Sequence, residues 1–123
     1  MIRIRGLISF LKRTKERYGN LPVMLFLSYG TVPNNALYTA LGKDDSLIVA
    51  LDYEIGGDTG YKVSDLIHQL EQKAISENLR IGLIHDDWLK GMVIAERVNV
   101  EIKHDDDNGS HVLFSELNDD NLW

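Results

Sequence analysis

Two short clusters of histidine and aspartate are the residues of this chain whose types are best suited to chemistry. One cluster is the run His85-Asp86-Asp87, and the other is the run His104-Asp105-Asp106-Asp107 with His111 close behind it. Imidazole nitrogens and carboxylate oxygens are ligands for zinc, manganese or nickel. One alternative is therefore a small metal-dependent hydrolase that uses these clusters, with His85, Asp86, His104 and His111 as its candidate residues.

The spacing of the second cluster favours a different interpretation. Neighbouring aspartates point in different directions and cannot all reach one ion, and the Asn108-Gly109 pair that follows is typical of a solvated hairpin turn. The chain has no cysteine, and its serines lack the Gly-x-Ser-x-Gly context of a nucleophile. We therefore predict no catalytic residue, no cofactor and no metal.

Aromatic residues in loops are better candidates for recognition. Trp88 lies in the stretch HDDWLKGM, Tyr29 in the stretch YGTVPNN, and Trp123 ends an acidic tail. Such rings either fold back onto the core or contact a partner. The predicted partner-binding residues are Tyr29, Asp86, Asp87, Trp88, Asp105, Asp106, Asp107 and Trp123.

The charge distribution indicates the kind of partner. The net charge is −6, and residues 61–123 contain thirteen acidic against six basic residues, whereas residues 1–60 are nearly balanced. An acidic surface favours a basic host protein and disfavours nucleic acid, whose phosphates need cations. The basic residues of the first helix, Arg3 to Arg17, are the one feature that keeps nucleic-acid binding open as a further alternative.

Two amphipathic helices must pack onto something apolar. In the first, the apolar stripe is Ile4, Leu7, Ile8, Leu11 and Tyr18, and in the second it is Val63, Leu66, Ile67, Leu70 and Ala74. The remaining positions of each helix are mostly polar or charged. Each stripe is followed by an apolar run suited to a buried strand.

The order of these elements predicts an internal repeat. The segments NLPVMLFLS and NLRIGLIHD align after the two helices, and a loop and a hairpin follow each of them. We predict an α+β fold of a single domain, 1–123, made of tandem αβββ units at 1–52 and 62–117, a linker at 53–61 and an acidic tail at 118–123. The strands are expected to form one antiparallel sheet, or two small ones, with both helices packed on one face.

The junction between the first helix and its strand resembles that of short phage and prophage accessory proteins. The residues that carry the resemblance are Leu7, Ile8, Leu11, Gly19, Asn20, Leu21, Pro22 and Val23, and KVSDLIHQL repeats the helical part. The second copy departs from the motif, since it has neither the glycine nor the proline. The resemblance covers about half the chain and implies an accessory role without a particular activity.

These observations together predict a non-catalytic protein-interaction module, such as a phage or mobile-element accessory or inhibitor protein that binds a host protein. No apolar run is long enough for a membrane span, so a cytoplasmic location and no membrane partner are expected. The edge strands of a small sheet leave a homodimer open.

Overall fold

The computed structural model describes residues 2–73, 75–87 and 91–117, with the backbone alone at Asp86 and Asp87. Trp88, Trp123 and the tail 118–123 lie outside the described residues. Two helices and eight strands follow one another along the chain: α1 (Ile4–Tyr18), β1 (Val23–Leu27), β2 (Gly30–Pro33), β3 (Ala36–Leu41), β4 (Leu47–Asp52), α2 (Val63–Glu71), β5 (Arg80–Asp87), β6 (Gly91–Ala95), β7 (Val98–Asp105) and β8 (Gly109–Glu116).

The strands form two mixed sheets of four strands each. Sheet I has the order β2-β1-β8-β7 and sheet II the order β3-β4-β5-β6. The α+β class is confirmed, but the wholly antiparallel arrangement is wrong, because β1 runs parallel to β8 and β4 parallel to β5. Each half also has four strands instead of three, since the short strand β2 lies in the expected loop after β1 and the short strand β6 begins at the end of the expected loop after β5.

Each sheet combines strands from both halves of the chain. The first strand of each half pairs in parallel with the last strand of the other half: β1 with β8, and β5 with β4. The two sheets also correspond strand by strand, because β1, β2, β7 and β8 of sheet I take the places of β5, β6, β3 and β4 of sheet II. The residues just before each helix likewise form backbone hydrogen bonds with the first strand of the other half. Ile81 N donates to Ile2 O, and Val23 N donates to Tyr61 O, both at 2.9 Å. A sequence duplication that would explain this arrangement stays a prediction.

One apolar core joins the two helices to both sheets. The aliphatic residues Ile4, Leu7, Ile8 and Leu11 of the α1 stripe are buried as predicted, and so are Val63, Leu66, Ile67 and Leu70 of the α2 stripe. Ala74, the last residue of the second predicted stripe, lies outside the described residues. The buried helix residues pack with Val23, Leu25, Val112 and Phe114 of sheet I and Val49, Leu51, Ile81 and Leu83 of sheet II.

The far end of the α1 stripe differs from the expectation. Tyr18 is 42% exposed, and its ring instead lies 5.9 Å from that of His104 on β7. Gly19 then ends the helix with φ of 94°, a conformation that glycine adopts without strain, and its N–H donates to Lys15 O. Within the described parts of the chain, no helix is long and apolar enough to cross a membrane.

Candidate binding cleft

A cleft of about 680 Å³ lies where the C-terminal ends of strands from the two sheets meet. Sheet I contributes the end of β1 and the turn after it, and sheet II contributes residues from all of its strands and from the segment after β4. The lining residues are Leu27, Tyr29, Tyr38, Asp52, Tyr53, Glu54, Ile55, Ile84, His85 and Met92. Its volume is within the range of sites that hold a small ligand or a few side chains of a partner.

The rim of the cleft is apolar and exposed. Ile55 is 89% exposed, Met92 70% and Tyr29 58%. Single exposed apolar side chains are ordinary on a protein surface, but a group of them around one concave site is typical of a recognition surface. Three tyrosines within one cleft strengthen that interpretation, because tyrosine combines a large apolar ring with a hydroxyl.

The pairing register of sheet II explains why Tyr38 and Asp52 point towards the cleft. Tyr38 is opposite Ala50 on β4, and Ala50 is opposite Gly82 on β5. Every second residue along each strand, counted from these three, has its side chain on the same face of the sheet. Tyr38, Asp52 and Ile84 are on that face. The other face carries Val49 and Leu51, which pack into the core with the helices.

Asn35 holds the segment that carries Tyr53, Glu54 and Ile55. Its Nδ2 donates to the carbonyl oxygens of Glu54 and Asp58, both at 3.0 Å, and its Oδ1 accepts from Glu54 N at 2.7 Å. The Asn35 side chain is almost fully buried, so these bonds are sheltered from water. The glycine-rich segment after β4 is therefore anchored at its start, which fixes one wall of the cleft.

Two of the residues that line the cleft, Asp52 and Glu54, are acidic. Asp52 and Glu54 are two residues apart in the chain, and His85, which also lines the cleft, has Nε2 3.3 Å from Glu116 Oε2. Tyrosine rings attract cations at their faces, and carboxylates attract them directly. The arrangement is chemically suited to a cationic side chain with an apolar stem or neighbour.

Of the residues that the sequence analysis selected for binding, Tyr29 lines this cleft. Ile84 and His85 of β5 and Met92 of β6 line it too. Asp86 and Asp87 end β5, where they pair with Met92 and Gly91. The side chains of Asp86 and Asp87, and the whole of Trp88 and Trp123, lie outside the described part of the chain.

The acidic run Asp105-Asp106-Asp107 lies at the opposite end of sheet I. The run forms the β7–β8 turn, where Asp105 pairs with Gly109 at the start of β8. The end of β1, next to Tyr29, is level with Ser115 near the other end of β8. Six strand residues separate those levels, or roughly 20 Å. Tyr29 and the acidic run are therefore at opposite ends of sheet I.

The acidic turn is organised by contacts of its own. Asp105 Oδ1 accepts from Asn108 N at 2.6 Å, and His104 Nδ1 is 2.7 Å from Ser110 Oγ. His111 is buried, with Nδ1 3.0 Å from Gly109 O and Nε2 3.8 Å from Asp105 Oδ2. These contacts are typical of a tight hairpin turn that is stabilised by its own polar side chains.

The histidines considered as metal ligands are divided between the two ends. His85 is close to Glu116 at the end of β8, and His111 is five residues earlier on that strand, roughly 15 Å away. Among the described residues, no three His, Asp or Glu side chains are placed to hold one metal ion. The geometry therefore does not bring His85, His104 and His111 into one site.

Part of the basic first helix is engaged within the protein. Arg5 Nε donates to Ile75 O at 3.0 Å and its Nη2 to Ser76 O at 2.8 Å, while Arg3 Nη1 donates to Asn78 O at 3.1 Å. These bonds hold the 3-10 turn at Ile75–Glu77 against the start of α1. The two arginines are thus structural, which reduces the basic surface that nucleic-acid binding would need.

Sequence reasoning missed most of the cleft. Tyr38, Tyr53, Ile55 and Met92 are not among the predicted binding residues, because the sequence predicts that each lies in a strand, a linker or a loop. One available signal was a tyrosine and an isoleucine within the glycine-rich segment YEIGGDTGY, where a mere connector needs neither.

No protein-family model, curated protein or solved structure matches this chain.

Proposed function

We propose that this chain is a non-catalytic protein-interaction module that binds a basic, partly apolar segment of a partner protein in the tyrosine-lined cleft. The observation that carries the proposal is the combination of Tyr29, Tyr38 and Tyr53 with Asp52 and Glu54 in one concave site. The acidic residues of the cleft, Asp52 and Glu54, belong to the first half of the chain and differ from the acidic residues predicted for partner binding, which are Asp86, Asp87 and Asp105 to Asp107.

Charge and shape support the same partner chemistry. The chain carries a net charge of −6, which accelerates encounter with a basic partner. Inside the cleft, an arginine or lysine could stack on a tyrosine ring while its head approaches the carboxylates. A neighbouring apolar residue of the partner would contact Ile55 and Met92, which are the most exposed apolar side chains of the rim.

Selection from a library of random displayed peptides tests this proposal. The enriched peptides are expected to place Lys or Arg next to an apolar residue, and binding is expected to weaken with rising salt. Tyr38→Ala should weaken the selected peptides about tenfold, since aromatic anchors dominate such interfaces.

Tyr18→Ala is the matched control. Tyr18 is exposed to the same extent as Tyr38, 42%, but lies on α1 and does not line the cleft. Equal losses from the two variants, or an enriched set that is acidic or uncharged, would contradict the proposal. So would a library that yields no binder.

We extend the proposal to a role as a phage-type accessory or inhibitor protein that acts on a host protein. It is supported by the resemblance of the segment Gly19-Asn20-Leu21-Pro22-Val23 to such proteins. Expression in a bacterial host should slow growth, and Tyr38→Ala should relieve the effect while Tyr18→Ala should not. Growth that is the same with and without the wild-type chain would count against the inhibitor role.

A further inference from the structure

One outer edge of sheet II is formed by β3, and its sequence is unlike that of both edges of sheet I. Strand β3 reads ALYTAL, with no charged residue, no proline and no glycine. The other edge of sheet II, β6, reads GMVIA and is also uncharged and without proline, but it is one residue shorter than β3 and begins with a glycine. In sheet I, edge strand β2 is four residues long and contains Gly30 and Pro33, and edge strand β7 carries Glu101, Lys103 and Asp105. Charges, proline and shortness are the devices that prevent an edge from pairing, and β3 has none of them.

The pairing of β3 with β4 determines which backbone groups face outwards. Gly42 N donates to Ser46 O at 2.8 Å, and the antiparallel register continues from there to Ala36 opposite Asp52. Hydrogen-bonded and non-hydrogen-bonded pairs alternate, so Ala40 and Tyr38 bond to β4. The N–H and C=O groups of Leu37, Thr39 and Leu41 consequently point away from the sheet, and no described residue bonds to them.

The exposed side chains along this edge are also apolar. Leu41 is 60% exposed and Leu47, directly opposite it on β4, is 45% exposed. Both are on the face of sheet II that packs against the helices, but they lie beyond the core cluster. A strand placed beside β3 would cover these leucines and would satisfy the outward backbone groups at the same time.

We infer that β3 pairs with β3 of a second copy of this chain. Sheet II of one copy and sheet II of the other would then form one continuous sheet. A two-fold axis perpendicular to the sheet at Thr39 places Thr39 opposite Thr39 of the other copy and Leu37 opposite its Leu41. In this register every outward N–H and C=O of Leu37, Thr39 and Leu41 finds a partner. A register centred on Tyr38 would leave those of Leu41 unpaired.

A second copy suits this edge better than a strand of foreign sequence. The pairing is self-complementary, because like faces meet and no charge opposes another within the strand. Just beyond the strand, Lys43 of one copy would lie level with Asn35 of the other copy. The Asn35 side-chain amide holds the segment that carries the acidic residues Glu54 and Asp58. In the adjoining turn, Asp44 is already paired with Arg80 at 2.9 Å.

The arrangement would also orient the two clefts. Tyr38 lies on the face opposite the helices, and a perpendicular two-fold axis keeps that face on the same side in both copies. The clefts would therefore open on one side of the dimer, where a partner with two basic segments could occupy both.

Sedimentation equilibrium over a concentration series tests the inference. The wild-type chain is expected to form a dimer, and Thr39→Lys is expected to raise the dissociation constant at least tenfold, because two ammonium groups would meet at the axis. Thr31→Lys, the same change on edge strand β2, should leave the dimer intact. A wild-type monomer up to about 1 mM, or equal effects of the two variants, would overturn the inference.

Cross-linking provides a second readout that does not depend on disrupting the edge. The chain has no cysteine, so Thr39→Cys introduces the only thiol. Hydrogen-bonded antiparallel positions have Cα atoms about 5.5 Å apart, a separation that a disulfide spans. Mild oxidation should convert Thr39→Cys into a covalent dimer and leave Thr31→Cys mostly monomeric. Equal cross-linking of both variants, or of neither, would reject this register.

Discussion

The β3–β4 and β7–β8 hairpins hold corresponding places in the two sheets, yet they are stabilised in different ways. In both sheets, the hairpin supplies an edge strand and a central strand that pairs in parallel with the other half of the chain. The β3–β4 turn is tied to the body of the protein, since Arg80 Nη2 lies 2.9 Å from Asp44 Oδ1 and 3.2 Å from Glu96 Oε1. The acidic β7–β8 turn is held by neighbours within the same hairpin.

This difference shows that a high density of charge is a poor guide to a functional surface. The acidic hairpin attracts attention in the sequence, but its aspartates are solvated and the turn lies at the far end of sheet I from the cleft. The uncharged β3 strand contributes Tyr38 to the cleft and a pairing edge to sheet II. The anchored hairpin is thus the one that carries candidate functional residues.

The largest expected effect is the loss of the anchor at Arg80. The side chains of Arg80 and Glu96 are only 13% and 12% exposed, so Arg80→Met leaves Glu96 charged and poorly solvated. We expect the free energy of unfolding to fall by about 3 kcal/mol. Denaturant unfolding would measure this change.

The control for Arg80→Met is Lys103→Met in the acidic hairpin. Lys103 Nζ lies 3.6 Å from Glu101 Oε1, and both side chains are about half exposed. Its loss should change stability by less than about 0.5 kcal/mol. Similar losses from the two variants would mean that the hairpins are not anchored differently.

A smaller effect is expected at the glycines of the two turns. A Cβ at Gly42 would collide with Glu96 Oε1 and lie 2.9 Å from Arg80 Nη2, whereas one at Gly109 would meet nothing within 4 Å. Gly42→Ala should therefore cost about 2 kcal/mol. Gly109 has φ of 64°, which asparagine tolerates, so Gly109→Asn should cost less than about 1 kcal/mol.

The two glycine variants can be compared further in the Arg80→Met background. There the cost of Gly42→Ala should decrease, because the ion pair that the new methyl group displaces is already broken. The cost of Gly109→Asn should stay the same. Additive costs at Gly42 would show that the collision with the ion pair is not the cause.

Neutralising the acidic turn should have little effect on stability or on peptide binding. Asp106 and Asp107 are exposed at the hairpin tip. The double variant Asp106→Ser and Asp107→Ser should change the free energy of unfolding by less than about 0.5 kcal/mol. It should also bind the selected basic peptides nearly as well as the wild type does, apart from a small loss of long-range attraction at low salt. A tenfold loss of affinity for these peptides would show that the acidic turn is part of the binding surface.

The smallest effect concerns acid stability at Asp44. The hydrogen bonds from the side chain and backbone of Ser46, helped by the positive charge of Arg80, lower the pKa of Asp44 below its ordinary value of 3.8. Because the folded pKa is below the unfolded one, this stabilisation is present above about pH 3.8 and is lost as the pH falls through the folded value. Asp44→Asn should therefore flatten the stability curve below that pH.

Ser46→Ala should flatten the acid limb in the same direction, since it removes the bond that contributes most to the lowered pKa. Urea unfolding at a series of pH values would measure both variants. An unchanged acid limb in both of them would show that Asp44 does not contribute to the acid sensitivity of this hairpin.

The apolar periodicity accounts for the part of the fold that sequence reasoning found. Both helices bury the four aliphatic residues of their predicted stripes, and the runs after them form β1 and β5. The sequence predicts a loop where β2 lies and no strand where β6 lies, because strands of four and five residues next to glycine have too little periodicity to stand out. The parallel pairs β1–β8 and β4–β5 join residues far apart in the chain, and no local pattern specifies such a pairing.

The sequence by itself determined the α+β class, the buried stripes and the acidic character of the second half, since periodicity and charge are properties of neighbouring residues. Only the tertiary structure decided that Tyr29 and Tyr38 share a cleft, that the acidic turn lies at the other end of sheet I, and that β3 is an outer edge. The physical reason is that these relations depend on which strands exchange backbone hydrogen bonds. That choice is made by the collective burial of both helices and both sheets in one core.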